Sequence, residues 1–292
     1  MKISVIIPTC EAELFIQQLL NCLHNQTILP DEIIVIDSES RDNTVKLARN
    51  AGAKILTVQR KTFDHGGTRD QAFRHSTGDI VLFLTQDAMP ADNHYIERLI
   101  APFTNERVAA ASGRQLAKPD AYAYEKLVRE YRYPEASSIW DQSHVAKDGI
   151  RAFRISDVCA AYRRSAYMET GGFTHPLMTN EDMLMAADLL AKGYCLAYCA
   201  DAKVWHSHNF TLIQEYRRNR LIGRFLQRYS DRLLGLSETG EGLRLVKYVL
   251  LNLARKGQLL QCMRFCMNCA ARLAGNKSGR SMEKKAMAHG KN

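Results

Sequence analysis

Short apolar runs that alternate with helical patterns constrain the fold of the N-terminal half more than any other feature of the sequence. The first four runs have the length of buried strands: KISVIIP, DEIIVID, AKILTV and DIVLFL. Strands joined by helical crossovers form a parallel sheet with helices on both faces. The sequence therefore predicts an α/β domain with a mostly parallel central sheet flanked by helices.

Polar side chains stand at the points where these predicted strands end. They are Thr9, which follows Pro8, then Asp37, and then Asp87. In open α/β sheets, ligands bind beyond the carboxyl ends of the strands. A polar residue that leaves a buried strand there reaches a shared crevice while its strand holds it in place. We therefore expect these residues to line one ligand site.

The second half of the chain adds an acidic pair and a histidine pair. Glu181 and Asp182 begin an amphipathic helix, with Thr179 or Asn180 as its N-cap. His206 and His208 alternate along an extended segment and therefore point to the same face. Taken alone, each pair has a structural interpretation. In this interpretation the acids complement the dipole of their helix, and the histidines have a structural role. Their occurrence together with Asp37 and Asp87 on one α/β scaffold favours a functional site.

The positive charge of the chain is concentrated at its C-terminal end. The formal net charge is +9, and residues 251–292 carry nine Lys or Arg but one acid, Glu283. Apolar helical stretches in the same segment favour contact with an anionic membrane surface. A helical hairpin packed on the catalytic domain is the alternative. The sequence lacks an RNA- or DNA-binding motif, so we expect no nucleic-acid partner.

Sequence features relevant to the cellular compartment are consistent with the cytoplasm. The N-terminal segment MKISVIIPT is too short for the apolar region of a signal peptide. The eight cysteines are then expected to be reduced thiols. No run reaches ~18 uninterrupted apolar residues, so no transmembrane span is predicted.

The order of these motifs resembles the family 2 inverting glycosyltransferases, whose nucleotide-diphospho-sugar-binding fold is called GT-A. The resemblance spans roughly residues 2–210 and is carried by SVIIPTCEAE, IIVIDSESRDNT, GDIVLFLTQDAMP, GGF and NEDMLMAADLLAKGY. Within the family, FDHGGTRDQA and TQDA are most similar to bacterial rhamnosyltransferases that build surface polysaccharides. The resemblance implies a GT-A domain over residues 1–210 and a helical, basic extension over 211–292. It divides the domain into a nucleotide-sugar-binding half, 1–115, and an acceptor-binding half, 116–210.

The resemblance also implies which residues contact the nucleotide sugar: Pro8, Thr9, Glu13, Asp37, Arg69, Gln86 and Asp87. Asp37 matches the acid that reads the base, and a carboxylate suits this because the N3–H of uracil or thymine donates. Arg69 matches a basic residue near the phosphates, which the planar guanidinium can hold. Cys10 stands where an aromatic residue is common in the family.

A divalent metal is the cofactor that the resemblance implies. Asp87 matches the last acid of the family's DxD-type motif, in which Thr85 and Gln86 replace the earlier acids. One carboxylate is sufficient, because such a cation completes its coordination with substrate phosphates and water. His206 or His208 matches a later histidine near the metal, and a histidine ligand favours Mn²⁺ somewhat over Mg²⁺.

Asp182 matches the catalytic base of the family, with Glu181 beside it. The resemblance therefore implies metal-dependent transfer of a sugar from a dTDP- or UDP-sugar, in the first place L-rhamnose from dTDP-rhamnose. The implied acceptor is a hydroxyl of a lipid-linked saccharide, reached by a peripheral enzyme at the inner face of the cell membrane.

Three alternatives remain open on the sequence alone. One is a transferase that uses another UDP- or dTDP-sugar. Another is a sugar-phosphate nucleotidyltransferase, although the GGTR-like loop of that class follows the first strand, whereas Gly66–Arg69 follows the third. The third is a non-enzymatic nucleotide-binding module, against which the presence of both Asp87 and Asp182 argues. A dehydrogenase is disfavoured, because PTCEAE replaces the G-x-G-x-x-G that should follow the first strand.

Overall fold

The computed structural model describes residues 1–235 and 239–289. Residues 236–238 and 290–292 of the predicted extension lie outside the described residues. The strands are β1 Ile3–Thr9, β2 Glu32–Asp37, β3 Lys54–Thr57, β4 Ile80–Leu84, β5 Met89–Pro90, β6 Val108–Leu116, β7 Ser138–Trp140, β8 Cys159–Arg163 and β9 Cys195–Trp205. The helices are α1 Glu13–His24, α2 Thr44–Asn50, α3 His65–His75, α4 Tyr95–Ile100, α5 Ala123–Arg132, α6 Val145–Asp148, α7 Arg164–Glu169, α8 Glu181–Ala191, α9 Leu212–Arg228, α10 Thr239–Arg255 and α11 Leu259–His289.

One sheet contains all of these strands, in the order β3-β2-β1-β4-β8-β6-β9-β5, and β7 pairs with β9. The first four strands along the chain are parallel, as the alternation of strands and helices predicts. β8 runs antiparallel to both of its neighbours, β4 and β6, whereas β6 and β9 are parallel. The predicted α/β class is confirmed. The mixed character of the sheet was not predicted, because an apolar run does not encode the direction in which its strand enters the sheet.

The sheet is covered on both faces, which explains why β4 is apolar at every position and β1 at most of its positions. Val5 and Ile7 of β1 pack in the same core cluster as Ile16 of α1. The intervening Ile6 belongs to a second core cluster, together with Phe73 of α3. Successive side chains of a strand point to opposite faces, so a strand buried on both faces reads as a continuous apolar run.

The C-terminal helices pack against the acceptor-binding half of the predicted domain. A third core cluster joins α5, α10 and α11 through Tyr124, Leu127, Val128, Leu245, Val249, Leu253 and Phe265. The inner face of these helices therefore matches the predicted alternative, in which a helical hairpin packs on the catalytic domain. None of the helices in the described part of the chain combines the length and apolar character needed to cross a bilayer.

The α9 and α11 helices approach each other so closely that their backbones meet. A Cβ on Gly275 would lie 2.3 Å from the carbonyl oxygen of Tyr216, and one on Gly279 would lie 2.0 Å from that of Arg220. Only glycine permits such an approach. Glu283, the single acid of the basic tail, is buried and binds Arg224 at 2.8 Å. Residues 251–289 are thus part of the packed fold.

Candidate active site

The polar ends of the first strands meet at one edge of the sheet, as the sequence predicts. β1, β2 and β4 are parallel, so their carboxyl ends share this edge. β8 runs in the opposite direction, and therefore its start lies there. The N–H of Thr85 donates to the carbonyl of Val158 at 3.1 Å, which joins the end of β4 to the beginning of β8.

Asp37 is fixed at this edge by three hydrogen bonds. The carboxylate accepts from the hydroxyl of Thr9 at 2.9 Å, from the hydroxyl of Ser40 at 2.6 Å and from the N–H of Ser40 at 2.8 Å. A carboxylate has about four acceptor positions, so one is left for a donor from outside. Pro8 precedes Thr9 at the end of β1 and lies opposite Ile36 of β2.

Two other residues predicted to contact the nucleotide sugar bind the backbone of the protein. Glu13 accepts from the N–H of Asn43 at 3.1 Å and from its side-chain amide at 2.7 Å. Gln86 bonds both backbone groups of Cys10, accepting at 2.8 Å and donating at 3.2 Å. The contacts of Glu13 link the start of α1 to the start of α2, and those of Gln86 link the segments after β4 and β1. The direct contacts of Glu13 and Gln86 with a nucleotide sugar stay predictions.

Asp87, His206 and His208 form the predicted metal group. Their ligand atoms all lie within 4.8 Å of one another. The Nε2 atoms of His206 and His208 lie 3.7 and 3.5 Å from Asp87 Oδ2 and 3.0 Å from each other. The backbone positions this pair, because the N–H of His206 donates to Leu116 O at the end of β6.

Gln115 determines which nitrogen of His206 carries the proton. Arg129 Nη1 donates to Gln115 Oε1 at 2.5 Å, and His206 Nδ1 lies 3.0 Å from the same oxygen. A guanidinium only donates, so this amide atom is the oxygen and His206 Nδ1 must donate to it. The lone pair of His206 then lies on Nε2, towards Asp87 and His208, in the tautomer that a metal ligand requires.

Burial keeps the two imidazoles neutral. It lowers the pKa of His206 well below the ordinary value, and the positive charge of Arg129 adds to this effect. Burial also lowers the pKa of His208, against the opposing carboxylate of Asp87. Metal ligation needs neutral histidines and an ionised carboxylate. The group therefore fits a divalent cation such as Mn²⁺ or Mg²⁺, with Asp87 as its oxygen ligand.

A second cluster contains the predicted catalytic acids together with Arg69. Arg69 Nη1 donates to Glu181 Oε1 at 2.7 Å, and its Nε lies 3.6 Å from Asp157 Oδ2. The N–H of Asp157 donates to Asp182 Oδ2 at 3.2 Å, and the N–H of Met183 donates to Oδ1 at 2.8 Å. Arg69 is therefore a buried partner of acids, and its predicted contact with phosphate stays a prediction.

Burial sets the protonation of Asp182. It raises the pKa of this carboxyl to about 7, and the negative charge of Glu181 acts in the same direction. The N–H of Asp157 and the guanidinium of Arg69 oppose the rise. Burial also raises the pKa of Asp157 well above its usual range, with the charge of Asp182 as the next cause. A carboxyl that titrates near neutral pH is suited to proton transfer.

Asp157 is the residue of this cluster that sequence reasoning missed. The sequence pattern points to polar residues that follow predicted strands, whereas Asp157 precedes one. Because β8 is antiparallel to β4, its start rather than its end lies at the ligand edge. The available signal was the acid directly before the apolar run VCAAY, once the direction of that strand is known.

The segment before β8 connects the two clusters. Gln115 Oε1 bonds His206, while Gln115 Nε2 donates to the hydroxyl of Ser156 at 2.9 Å. The next residue, Asp157, donates its N–H to Asp182. A short series of hydrogen bonds therefore runs from the metal group to the acidic cluster.

The start of α3 holds Arg69 in place. Gly66 and Gly67 lie inside the first turn of α3 rather than in a loop before it. Asp64 caps the helix by accepting from Gly67 N at 2.7 Å, and it also accepts from Leu177 N at 2.9 Å. A Cβ on Gly66 would lie 2.3 Å from the carbonyl oxygen of Thr174. Gly66 thus permits the helix to dock against the loop before α8, whose N-cap is Asn180 at a φ of 61°.

Comparison with known proteins identifies the family. The sequence profile described as Glycosyl transferase family 2 matches residues 4–171. The chain belongs to this family. It is 40% identical over 251 residues to the O-antigen chain rhamnosyltransferase RfbN of Salmonella typhimurium, covering 85% of this chain and 80% of that protein. It is 37% identical to the O-antigen chain rhamnosyltransferase WbaN of Salmonella anatum, covering 78% and 73%.

Solved structures of glycosyltransferases share the fold. The mannosyltransferase PcManGT from Pyrobaculum calidifontis, in complex with GDP-Man and Mn²⁺, gives a TM-score of 0.61 at 19% identity, covering 98% of this chain and 85% of that chain. Staphylococcus aureus TarS residues 1–349 with UDP-GlcNAc gives 0.58 at 17% identity, covering 99% and 92%. The predicted GT-A fold and glycosyltransferase class are confirmed, and the nucleotidyltransferase and non-enzymatic alternatives lose their support.

The metal group generates a first prediction. Asp87→Asn should abolish most Mn²⁺ binding in the presence of nucleoside diphosphate, because it removes the one carboxylate ligand. Gln115→Leu should weaken Mn²⁺ binding about 10–100-fold, because it removes the acceptor that orients His206. Isothermal titration of Mn²⁺ measures both. Asp201→Asn, at an exposed site, is the control, and Asp87→Asn protein that binds Mn²⁺ like the wild type would refute the assignment.

Asp182 generates a second prediction. If Asp182 is the base, kcat should rise with pH through about 7, as this carboxyl loses its proton. Asp182→Asn should retain donor binding but lose about 10²–10⁴-fold in kcat, and its residual rate should lack that pH step. Initial rates from pH 5.5 to 9, with Asp201→Asn as control, measure both effects. An Asn variant with wild-type turnover would exclude Asp182 as the base.

Proposed function

We propose that this glycosyltransferase is an inverting, metal-dependent enzyme that transfers L-rhamnose from dTDP-rhamnose to a hydroxyl of a lipid-linked saccharide in cell-surface polysaccharide synthesis. The observation that carries the proposal is the 40% identity, over 85% of the chain, to an O-antigen chain rhamnosyltransferase. The two clusters at the sheet edge support it, because they supply a metal group and a carboxyl suited to act as a base.

The residues of the chain have distinct parts in the proposed reaction. Asp37, held by Thr9, accepts the N3–H of the thymine or uracil base. Asp87, His206 and His208 would hold Mn²⁺ or Mg²⁺, which cancels charge on the leaving nucleoside diphosphate.

Asp182 removes the proton of the acceptor hydroxyl on the side of the sugar opposite the leaving group, as inversion requires. Its pKa of about 7 allows it to be ionised before transfer and to take a proton during it. Glu181 supports this function by binding Arg69, which keeps the guanidinium close to the two aspartates. The N–H of Asp157 donates to the carboxylate of Asp182 and so orients this base.

A panel of sugar nucleotides tests the donor. We expect the enzyme to release nucleoside diphosphate from dTDP-rhamnose faster than from other dTDP-, UDP- or GDP-sugars, detected by mass spectrometry. EDTA should stop the release and Mn²⁺ should restore it. Preference for another UDP- or dTDP-sugar would support the alternative donor, and EDTA-resistant release would contradict the proposed metal.

We further propose that the enzyme binds the inner face of the cell membrane through α10 and α11. Apolar side chains of α11 are exposed on one face, namely Leu259 at 69%, Leu260 at 59%, Met263 at 60% and Met267 at 47%. Basic residues lie beside them, including Arg255, Lys256 and Arg264. Such a combination favours the headgroup region of an anionic bilayer.

Vesicle flotation tests the membrane contact with the full chain. The wild-type protein should float with vesicles of phosphatidylglycerol and phosphatidylethanolamine, and should be released from them by high salt. The variant Leu260→Ser/Met263→Ser/Met267→Ser should remain at the bottom of the gradient. The control is Leu14→Ser, which changes an apolar residue of α1 that is more exposed than those of the triple variant. Flotation of the triple variant like the wild type would exclude this surface.

A further inference from the structure

Two ring contacts connect Arg218 of α9 to the metal group, although this arginine belongs to the C-terminal extension. Its guanidinium carbon lies 5.8 Å from the centroid of the Phe210 ring. That ring stacks on His208, with the centroids 4.7 Å apart and an angle of 22° between the planes. The family profile ends at residue 171, so Arg218 lies outside the part of the chain that the profile matches.

The backbone fixes the start of α9 relative to the metal group. Ser207, which stands between the two histidines, accepts from the N–H of Lys118 at 2.9 Å. Thr211 then caps α9 through reciprocal hydrogen bonds with Gln214, at 2.8 and 3.3 Å. The backbone of Arg218 is therefore held at a defined place in the second turn of this helix.

The cations around the metal group differ in their partners. Burial lowers the pKa of both histidines, and three cations add to this effect: Lys118, Arg129 and Arg218. Lys118 Nζ lies 3.9 Å from Asp87 Oδ2, and Arg129 Nε lies 2.9 Å from Glu125 Oε1. In the part of the chain that the structure describes, no residue forms a hydrogen bond or ion pair with the guanidinium of Arg218.

Glu215 attracts Arg218 electrostatically, but its carboxylate is bound elsewhere. The two oxygens accept from the side-chain amides of Asn219 at 3.1 Å and Asn268 at 3.2 Å, and Oε2 lies 3.7 Å from Arg272 Nε. Burial lowers the pKa of Arg218, and the charge of Arg272 acts in the same direction. The side chain is nevertheless accessible to solvent. A partly desolvated but accessible guanidinium without an ion pair favours an anionic ligand.

We propose, on the basis of the proposed function, that Arg218 binds the β-phosphate of the nucleoside diphosphate, both in the donor and as the leaving group. The guanidinium fork holds phosphate oxygens through paired, charge-assisted hydrogen bonds. When the acceptor oxygen bonds the anomeric carbon, the electron pair of the broken C–O bond stays on this phosphate and the acceptor proton passes to Asp182. A fixed guanidinium stabilises the charge that develops there.

The order of the strands explains why the β-phosphate, rather than the base, lies towards Arg218. Asp37, the proposed partner of the base, ends β2 on one side of β4, whereas β9 is on the other side and leads into α9. The metal group lies between them, because it joins Asp87 after β4 to the histidines after β9. A nucleotide that contacts both Asp37 and the metal group therefore directs its terminal phosphate towards α9.

Titrations of dTDP and dTMP test this assignment, because the two ligands differ by the β-phosphate. In Mn²⁺, Arg218→Gln should bind dTDP about tenfold or more weakly than the wild type, the loss typical of a charge-assisted hydrogen bond. Both proteins should bind dTMP equally. The loss for dTDP should persist in EDTA, where the metal group carries no cation. The Tm should not change, because the side chain is exposed, and Arg218→Ala should behave like Arg218→Gln.

Arg217→Gln is the matched control. It removes the same charge from the next residue of α9, which is also exposed and points about 100° away around the helix. This variant should bind dTDP like the wild type. Equal weakening of dTDP and dTMP by Arg218→Gln would indicate a merely structural role and overturn the proposal. Unchanged dTDP binding with a raised KM for the acceptor would assign the guanidinium to a phosphate of the lipid-linked acceptor and also contradict it.

The result is separable from failure of the proposed function. If the wild type binds neither dTDP nor UDP and consumes no sugar nucleotide, the proposed function fails, whatever Arg218 does. If the donor panel identifies a UDP-sugar, UDP and UMP replace dTDP and dTMP in the same titrations. If the diphosphate binds but Arg218→Gln leaves its affinity relative to the monophosphate unchanged, only the role of Arg218 fails.

Discussion

The chemistry of the site depends on the insertion of β8 between β4 and β6. The antiparallel pairing of β4 with β8 brings residues 156–158 to the edge at which β1, β2 and β4 end. From there, Ser156 bonds the glutamine that orients His206, and Asp157 bonds Asp182. A single segment therefore aligns the metal group with the acidic cluster. A parallel β8 would place this segment at the opposite edge and separate the two.

Burial then acts on the two clusters in opposite ways. A buried site disfavours the charged form of any group, so it raises the pKa of a carboxyl and lowers that of an imidazole. At Asp182 this produces a carboxyl that titrates near neutral pH, and at His206 it produces a neutral imidazole. Arg69 limits the effect in the acidic cluster by its ion pairs with Glu181 and Asp157. The same physical cause thus favours the protonation states that the proposed base and the proposed metal ligands require.

Local patterns in the sequence were sufficient to predict several of the polar side chains that the structure brings to one edge of the sheet. Thr9 and Asp37 end apolar strands, Asp87 follows one after two residues, and the two histidines alternate on one segment. Each of these positions could therefore be inferred from its neighbours in the chain. Asp157 and the partners of Arg69 could not, because they depend on the direction of β8 and on the docking of α3 against the loop before α8. Asp64 illustrates the difference: it caps its own helix, but it also binds Leu177, more than a hundred residues away.

The C-terminal extension differs from the rest of the chain in composition, but packing crosses the predicted boundary at residue 210. Leu245, Val249 and Leu253 share a core cluster with α5, and Glu241 binds Arg151. Because α10 is buried on one side, its opposite side has a fixed orientation relative to the sheet edge. A membrane-binding surface on a flexible tail would leave the direction of the active site undetermined. On α10 and α11, the proposed membrane-binding surface would instead set the distance and angle at which the proposed lipid-linked acceptor meets Asp182.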